Sequence, residues 1–139
     1  MKPLSQFTVV IFLSLFFISS LPQSQANNFL ANIWITRHVH IINDLSIDME
    51  LHCQSKDDDL GARVLHPGQE QMIRFRMHFF KSTLFYCDTR GEGRAKHFDV
   101  FVQNRDKNRC GDDCKWSMRD DGIYFSNDGT NWNREYTWG

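Results

Sequence analysis

The chain has 139 residues, with 16 Lys+Arg against 17 Asp+Glu and a formal net charge of −1. So even a balance gives no general attraction to phosphate backbones or anionic lipid, which excludes roles that rest on bulk charge. Four cysteines, an even number, and 14% aromatic residues suit a small disulfide-bonded domain with a real core.

Lys2, the apolar run Phe7–Leu21 and the small-x-small triplet Ser24-Gln25-Ala26 have the form of a secretory signal cleaved after residue 26. The run of 15 residues is short for a spanning helix, which needs about 20. No second apolar run follows, so no membrane insertion is expected. What remains, 27–139, is 113 residues with 15 basic and 17 acidic groups, the size of one domain. It has one proline, Pro67, and no linker, repeat or low-complexity tract. All four cysteines, Cys53, Cys87, Cys110 and Cys114, lie in it and are expected to form two disulfides, with three pairings open. Zinc fits poorly, because Cys110-Gly-Asp-Asp-Cys114 has no matching second pair of Cys or His. No Asn-x-Ser/Thr triplet occurs, so no N-linked glycan is expected.

In chain order, Ile33–Ile42 puts Ile33, Ile35, Val39 and Ile41 on one face, with Arg37 as an intrusion. Asn43-Asp44 reads as the turn of a hairpin into Leu45–Cys53, where Leu45, Ile47, Met49, Leu51 and Cys53 alternate with polar residues. Gln54–Asp59 then turns acidic. Arg63-Val64-Leu65 reads as a short strand before the turn His66-Pro67-Gly68-Gln69. Met72–Phe79 points Ile73, Phe75, Met77 and Phe79 inward, with Arg74, Arg76 and His78 outward and Lys81 following. Thr83–Asp88 is a strand, Arg90–Arg94 a glycine-containing flexible loop, and His97–Gln103 a strand with Phe98, Val100 and Val102 inward. Asn104–Asp113 reads as a polar connection. Cys114–Met118 and Gly122–Ser126 form a hairpin around Arg119-Asp120-Asp121, and the chain closes through Asn127-Asp128-Gly129 into Trp132, Tyr136 and Trp138. Seven or eight short strands without helical periodicity predict an all-β fold, a small antiparallel β-sandwich.

Asp57-Asp58-Asp59 invites a calcium reading, but three consecutive carboxylates cannot all point one way, and no Asp-x-Asp-x-Asp-Gly loop occurs. A solvated loop whose Asp side chains accept their own backbone N–H groups, with Lys56 offsetting charge, is the expectation, and no metal or cofactor is assigned. The stripe Arg74, Arg76, His78 suits a solvated face or a guard against edge pairing better than an acidic-partner site. Among His38, His40, His52, His66, His78 and His97, none has a ribonuclease context (His-x-Trp-Pro or Lys-His-Gly). With no Gly-x-Ser-x-Gly elbow and the cysteines committed, no nucleophile–base constellation can be named, so no catalytic residue and no enzyme activity are assigned. The spacing of Trp132, Tyr136 and Trp138 puts all three rings on one strand face, which favours core over a sugar platform.

Taken together, the residues form a recognisable order. An Ile/Val-rich strand reaches Asn43 and Leu45, followed by His52-Cys53 and Ser55-Lys56-Asp57-Asp58-Asp59-Leu60-Gly61. Then come Leu65, Gly68, Phe75, Thr83-Leu84-Phe85-Tyr86-Cys87, Phe98-Asp99-Val100-Phe101, Arg105-Asp106, Cys110, Cys114, Trp116 and Asp121-Gly122-Ile123-Tyr124. This order resembles the plant self-incompatibility S-protein family, the S-protein homologues, over nearly all of the chain after the leader. The resemblance implies a small secreted plant protein with a β-sandwich and two disulfides. Its founding members are poppy pistil proteins that act as ligands of a pollen membrane protein and arrest self pollen through calcium. Most homologues have no assigned role, and many are expressed outside flowers. Some members carry a glycan, and here no acceptor triplet exists.

The expectation is therefore a secreted extracellular ligand, a monomer that binds a cell-surface membrane protein and no nucleic acid. Its contacts are placed in the loops Gln54–Gly61, Arg90–Arg94 and Asn104–Asp113, through Lys56, Asp57, Asp58, Asp59, Arg105, Asp106, Asp112 and Asp113. The rival is a secreted defence or cell-wall-binding protein, and more remotely a secreted nuclease or hydrolase.

Overall fold

A computed structural model describes residues 34–78 and 82–139. The leader reading of residues 1–26, and the placements of Ile33, Phe79 and Lys81, lie outside the described residues. A unit boundary falls between Ile35 and Thr36, and the second unit is Thr36–Gly139. Apart from the first two residues of β1, the fold below lies in the second.

Nine strands and one short helix run in the order β1 (Trp34–Asn43), β2 (Met49–Gln54), β3 (Asp59–Leu65), β4 (Glu70–His78), β5 (Leu84–Gly91), β6 (Arg94–Val102), α1 (Gln103–Asp106), β7 (Asp113–Arg119), β8 (Gly122–Ser126) and β9 (Asn133–Tyr136), among the described residues. They form two sheets, β4-β1-β7-β8-β9 and β3-β2-β5-β6. The expected sandwich is therefore found. Alternation explains it: Val39 and Ile41 on β1, Met49, Leu51 and Cys53 on β2, and Trp116 and Met118 on β7 are all fully buried.

The expected hairpin between the first two strands is not. β1 and β2 belong to different sheets, and β1 instead runs parallel to β7, with His38 opposite Asp113 and Asn43 opposite Met118. Asn43, read as a turn residue, is fully buried at the corner where the chain changes sheet. Its Nδ2 donates to the carbonyls of Ile47 (2.8 Å) and Leu65 (2.9 Å), and its Oδ1 accepts the Leu45 N–H (3.0 Å). A hairpin would have put both apolar strand faces on one side of one sheet. Crossing over makes them two walls of one core. The burial of Leu45 and Met49 still alternates as expected, although hydrogen-bonded β2 begins only at Met49.

Two further departures come from backbone geometry. Arg90–Arg94 is a tight turn, because β5 and β6 stay paired to Gly91–Arg94 and only Glu92 (φ 43°) and Gly93 (φ 78°) are free. Positive φ at both central residues is the turn whose twist matches a hairpin. A bulge then sits between Phe85–Phe101 and Tyr86–Asp99. Val100 is the extra residue, so Val100 and Phe101 are both buried and Val102 is only half-buried, in place of the Val100/Val102 alternation.

The disulfides are Cys53–Cys87 and Cys110–Cys114. The first joins directly opposed residues of β2 and β5, and the second closes the short loop ahead of β7. Among the described residues no helix is long and apolar enough to cross a membrane.

Candidate partner-binding end of the sandwich

Strand registers decide which loops are neighbours. Gln54 at the end of β2 pairs with Tyr86 near the start of β5, and Leu84 pairs with Val102 at the end of β6. The acidic loop 55–58 and α1 therefore share one end of the four-stranded sheet. From α1 the chain crosses to β7, whose first residue Asp113 pairs with His38, while Ser126 at the end of β8 pairs with Lys115. The Asn127 side chain donates to the Arg109 carbonyl (3.2 Å), tying the 127–132 loop to the same end. All eight residues singled out from sequence come to this end. The Arg90–Arg94 turn does not: Arg94 pairs with Asp120 (3.3 Å) in the β7–β8 turn at the opposite end.

The eight residues do different work. In the acidic loop the Ser55 N–H donates to the Asp58 carbonyl (2.7 Å), and the Asp58 N–H donates to Ser55 Oγ (3.1 Å). This short local pairing holds the loop closed while Lys56, Asp57 and Asp58 stay exposed. None of those three side chains has a hydrogen bond or ion pair among the described residues. Asp59 opens β3, where its Oδ1 accepts the Gly61 N–H (2.9 Å) and meets His52 Nε2 (2.5 Å). The Gly61 N–H first, and then His52, hold its carboxyl below the ordinary range. Of the three aspartates, then, only Asp59 binds its own backbone as expected. Among the described residues no three His, Cys, Asp or Glu side chains form a group that could hold a metal ion.

Asp106 is a correction of another kind. Its side chain is fully buried and presents nothing to a partner. Asp106 Oδ2 accepts the Val102 N–H (2.8 Å), Arg105 grips both carboxylate oxygens at 2.9 Å, and Arg109 Nη2 lies 2.8 Å from Oδ1. Burial alone would lower Arg105, but the Asp106 carboxylate and the Tyr136 hydroxyl hold it above its ordinary value. The two guanidinium groups stand over the Trp116 ring at 5.5 and 5.8 Å, and Arg109 also over Phe125 at 3.6 Å. Trp116 donates to the Val100 carbonyl (2.8 Å), with Phe98, Phe125 and Tyr136 around it. Arg37, the intrusion on β1, is explained from the same region: its guanidinium donates to the carbonyls of Cys110 (3.0 Å), Gly111 and Lys107 (3.1 Å) and holds the loop into β7. The polar connection 104–113 is thus a rigid, internally bonded platform, with Asp112 exposed at its edge.

Asp113 is tied down as well. His40 lies between two carboxylates, with Nδ1 2.8 Å from Glu70 and Nε2 2.7 Å from Asp113. His40 holds the Asp113 carboxyl below its ordinary value. A depressed carboxyl contributes stability above the unfolded value of 3.8 and loses it as pH falls through the lower folded value. Asp113→Asn is therefore expected to melt below wild type at pH 6, with the gap closing as pH falls past the ordinary carboxylate value and through the lower folded one. A gap unchanged with pH, followed by circular dichroism, would remove His40–Asp113 from the acid response.

Sequence reasoning passed over the 127–132 loop as a closing turn. Asp128 organises it, accepting from the backbone N–H groups of Thr130 and Asn131 (both 2.8 Å) and from Ser126 Oγ (3.0 Å), and its carboxyl is strongly lowered. The run Ser-Asn-Asp-Gly-Thr-Asn was the available signal, since such residues bond their own backbone. The aromatic tail also departs from expectation. A bulge between Ile123–Tyr136 and Tyr124–Arg134 puts Tyr136 on the core face against Phe98 and Trp116. Trp132 falls on the outer side, where Arg119 stands over its ring (5.0 Å) and over Tyr124 (4.5 Å). One face of each ring is thereby taken, which leaves less for a sugar to stack on.

With this geometry in view, residues 38–138 match the family model described as plant self-incompatibility protein S1. This chain belongs to that family. S1-family relatives include S-protein homolog 20 of Arabidopsis thaliana, 40% identical over 67% of this chain and 71% of that protein. Self-incompatibility protein S1 of Papaver rhoeas is 36% identical over 53% of this chain and 55% of that protein, so the match spans little more than half of the poppy protein. A solved structure aligns with a TM-score of 0.61 at 20% identity, covering 75% of this chain and 95% of that one. It is described as an SPH (Self-Incompatibility Protein Homologue) structure, from a widespread family of small, highly stable, secreted plant proteins, and it has the same fold.

Proposed function

We propose that this S1-family protein is a secreted extracellular ligand that binds a cell-surface membrane protein through the end of the sandwich carrying 55–58, 103–112 and 127–132. Its role is recognition and not turnover. The observation that carries this reading is the contrast within the acidic loop and its surroundings. Asp59, Asp106 and Asp113 are engaged by groups of the chain itself, whereas Lys56, Asp57, Asp58 and Asp112 are exposed beside a platform fixed by Arg37, Asp106 and Asp128. Charged groups held on a rigid scaffold with no partner of their own keep their interactions for a second molecule.

Asp57→Asn/Asp58→Asn is expected to leave the melting temperature unchanged and weaken saturable binding of the labelled, oxidised protein to responding cells about tenfold or more. Pollen tubes and vegetative cells would be compared, with cytosolic calcium recorded. A calcium rise in pollen alone would place the protein in pollen rejection, and a response of vegetative cells would place it elsewhere. Retention on pectin or cellulose without any saturable cellular site would replace the ligand reading by the wall-binding one.

A further inference from the structure

Edge strands present unpaired N–H and C=O groups that template pairing with another chain. Among the described residues the two sheets end in β4 and β9, and in β3 and β6. Three of these edges are blunted. On β6 the carbonyls of Ala95, Asp99 and Val100 accept from the Gly139 N–H (3.4 Å), Arg105 (2.9 Å) and Trp116 (2.8 Å). β9 has four residues, is bulged and exposes Arg134 and Glu135. β4 carries Arg74 and Arg76, both exposed.

β3 has far less protection. Asp59 to Val64 are all exposed, and Leu60 and Val64 are 41% and 51% open to solvent. The strand holds no proline or lysine, Asp59 is engaged by His52, and Arg63 has no partner among the described residues. Its guards are a bulge at Leu60-Gly61, where Gly61 takes φ 76°, and the single exposed Arg63. Beyond the bulge Ala62 to Leu65 runs in regular register against His52 to Met49. The open edge begins one turn from the unpartnered carboxylates of Asp57 and Asp58.

We infer that an extended segment of the partner protein adds to the β3 edge as a further strand, its alternate apolar side chains against Ala62 and Val64 and a basic residue against Asp57 and Asp58. The inference rests on the ligand reading above and specifies how that same end binds. Strand addition takes affinity from main-chain hydrogen bonds and specificity from alternate side chains. Charge complementarity favours a foreign segment over a second copy. Antiparallel self-pairing across Ala62–Leu65 would place Asp57 and Asp58 beyond the second copy's strand, which turns away at His66.

The test uses the full secreted protein with Val64→Lys, a change at an exposed site that puts a charge on the edge, and Val64→Thr as a control that keeps the β-branch. Val64→Lys is expected to keep the wild-type melting temperature and lose about tenfold or more in saturable binding to responding cells, while Val64→Thr binds normally. Amide hydrogen exchange of the protein bound to membrane vesicles from those cells is expected to slow at residues 62–65. If wild type binds, Asp57→Asn/Asp58→Asn weakens it, and Val64→Lys and the exchange at 62–65 are unchanged, the edge inference is overturned and the ligand reading stands. No saturable binding by wild type overturns both. A dimer in sedimentation velocity that Val64→Lys dissolves would give the edge to a second copy and overturn the foreign segment.

Discussion

Asp106→Ala is expected to leave little folded protein. The carboxylate is fully buried, accepts the Val102 N–H, and compensates two guanidinium groups lodged over Trp116 and Phe125. Removing one partner of a buried ionic group leaves the others uncompensated, a loss of about 3–5 kcal/mol. Against a total stability of about 5–15 kcal/mol, that is a large fraction for a domain of this size. Asp106→Asn keeps an acceptor for Val102 but not the charge, and should recover only part of the loss. Urea unfolding of the purified variants decides it. A wild-type midpoint would mean that Arg105 and Arg109 find other acceptors, with Glu135, already bonded to Arg109, the first candidate.

Loss of the Cys53–Cys87 bridge should be the second large effect, and larger than loss of Cys110–Cys114. Both bridges stabilise chiefly by shrinking the unfolded ensemble, and the loops they close differ, with sequence separations of 34 and 4. Loop-closure entropy puts the two contributions at about 4 and about 2 kcal/mol. All four cysteines are buried, so either replacement removes core packing, and loop length is what sets the order. The Cys53→Ala/Cys87→Ala and Cys110→Ala/Cys114→Ala pairs, unfolded side by side in urea, should separate in that order. Equal losses would mean that loop length is not what decides. Cys53→Ser alone strands Cys87 in the core and is expected to abolish secretion, measured as folded protein in the medium.

What was legible in the sequence, and what was not, divides along a physical line. Alternation fixes which side chains of a strand share a face, because the pleat has period two whatever lies beside it. So Met49, Leu51 and Cys53 of β2 and Ile73 and Met77 of β4 as inward residues, the β7–β8 hairpin and the all-β class followed from the chain itself, as did two disulfides from four cysteines. The resemblance carried by His52-Cys53, the 55–61 block and the four cysteines reached the family for the same reason, since spaced identities are a property of order along the chain. Which strand lies beside which is not local. Asn43-Asp44 has turn chemistry in either a hairpin or a sheet-to-sheet corner, and only the carbonyls of Ile47 and Leu65, brought to Asn43 by the fold, select the corner. One extra residue at Val100 and one at Glu135 reverse the faces of everything after them, and no composition rule reveals a bulge in advance. The same holds at the candidate site. Asp57, Asp58, Asp106 and Asp113 are equivalent carboxylates on paper. Only tertiary structure, by burying Asp106 under two arginines and setting Asp113 against His40, decides which are spent on the fold and which stay exposed without an internal partner.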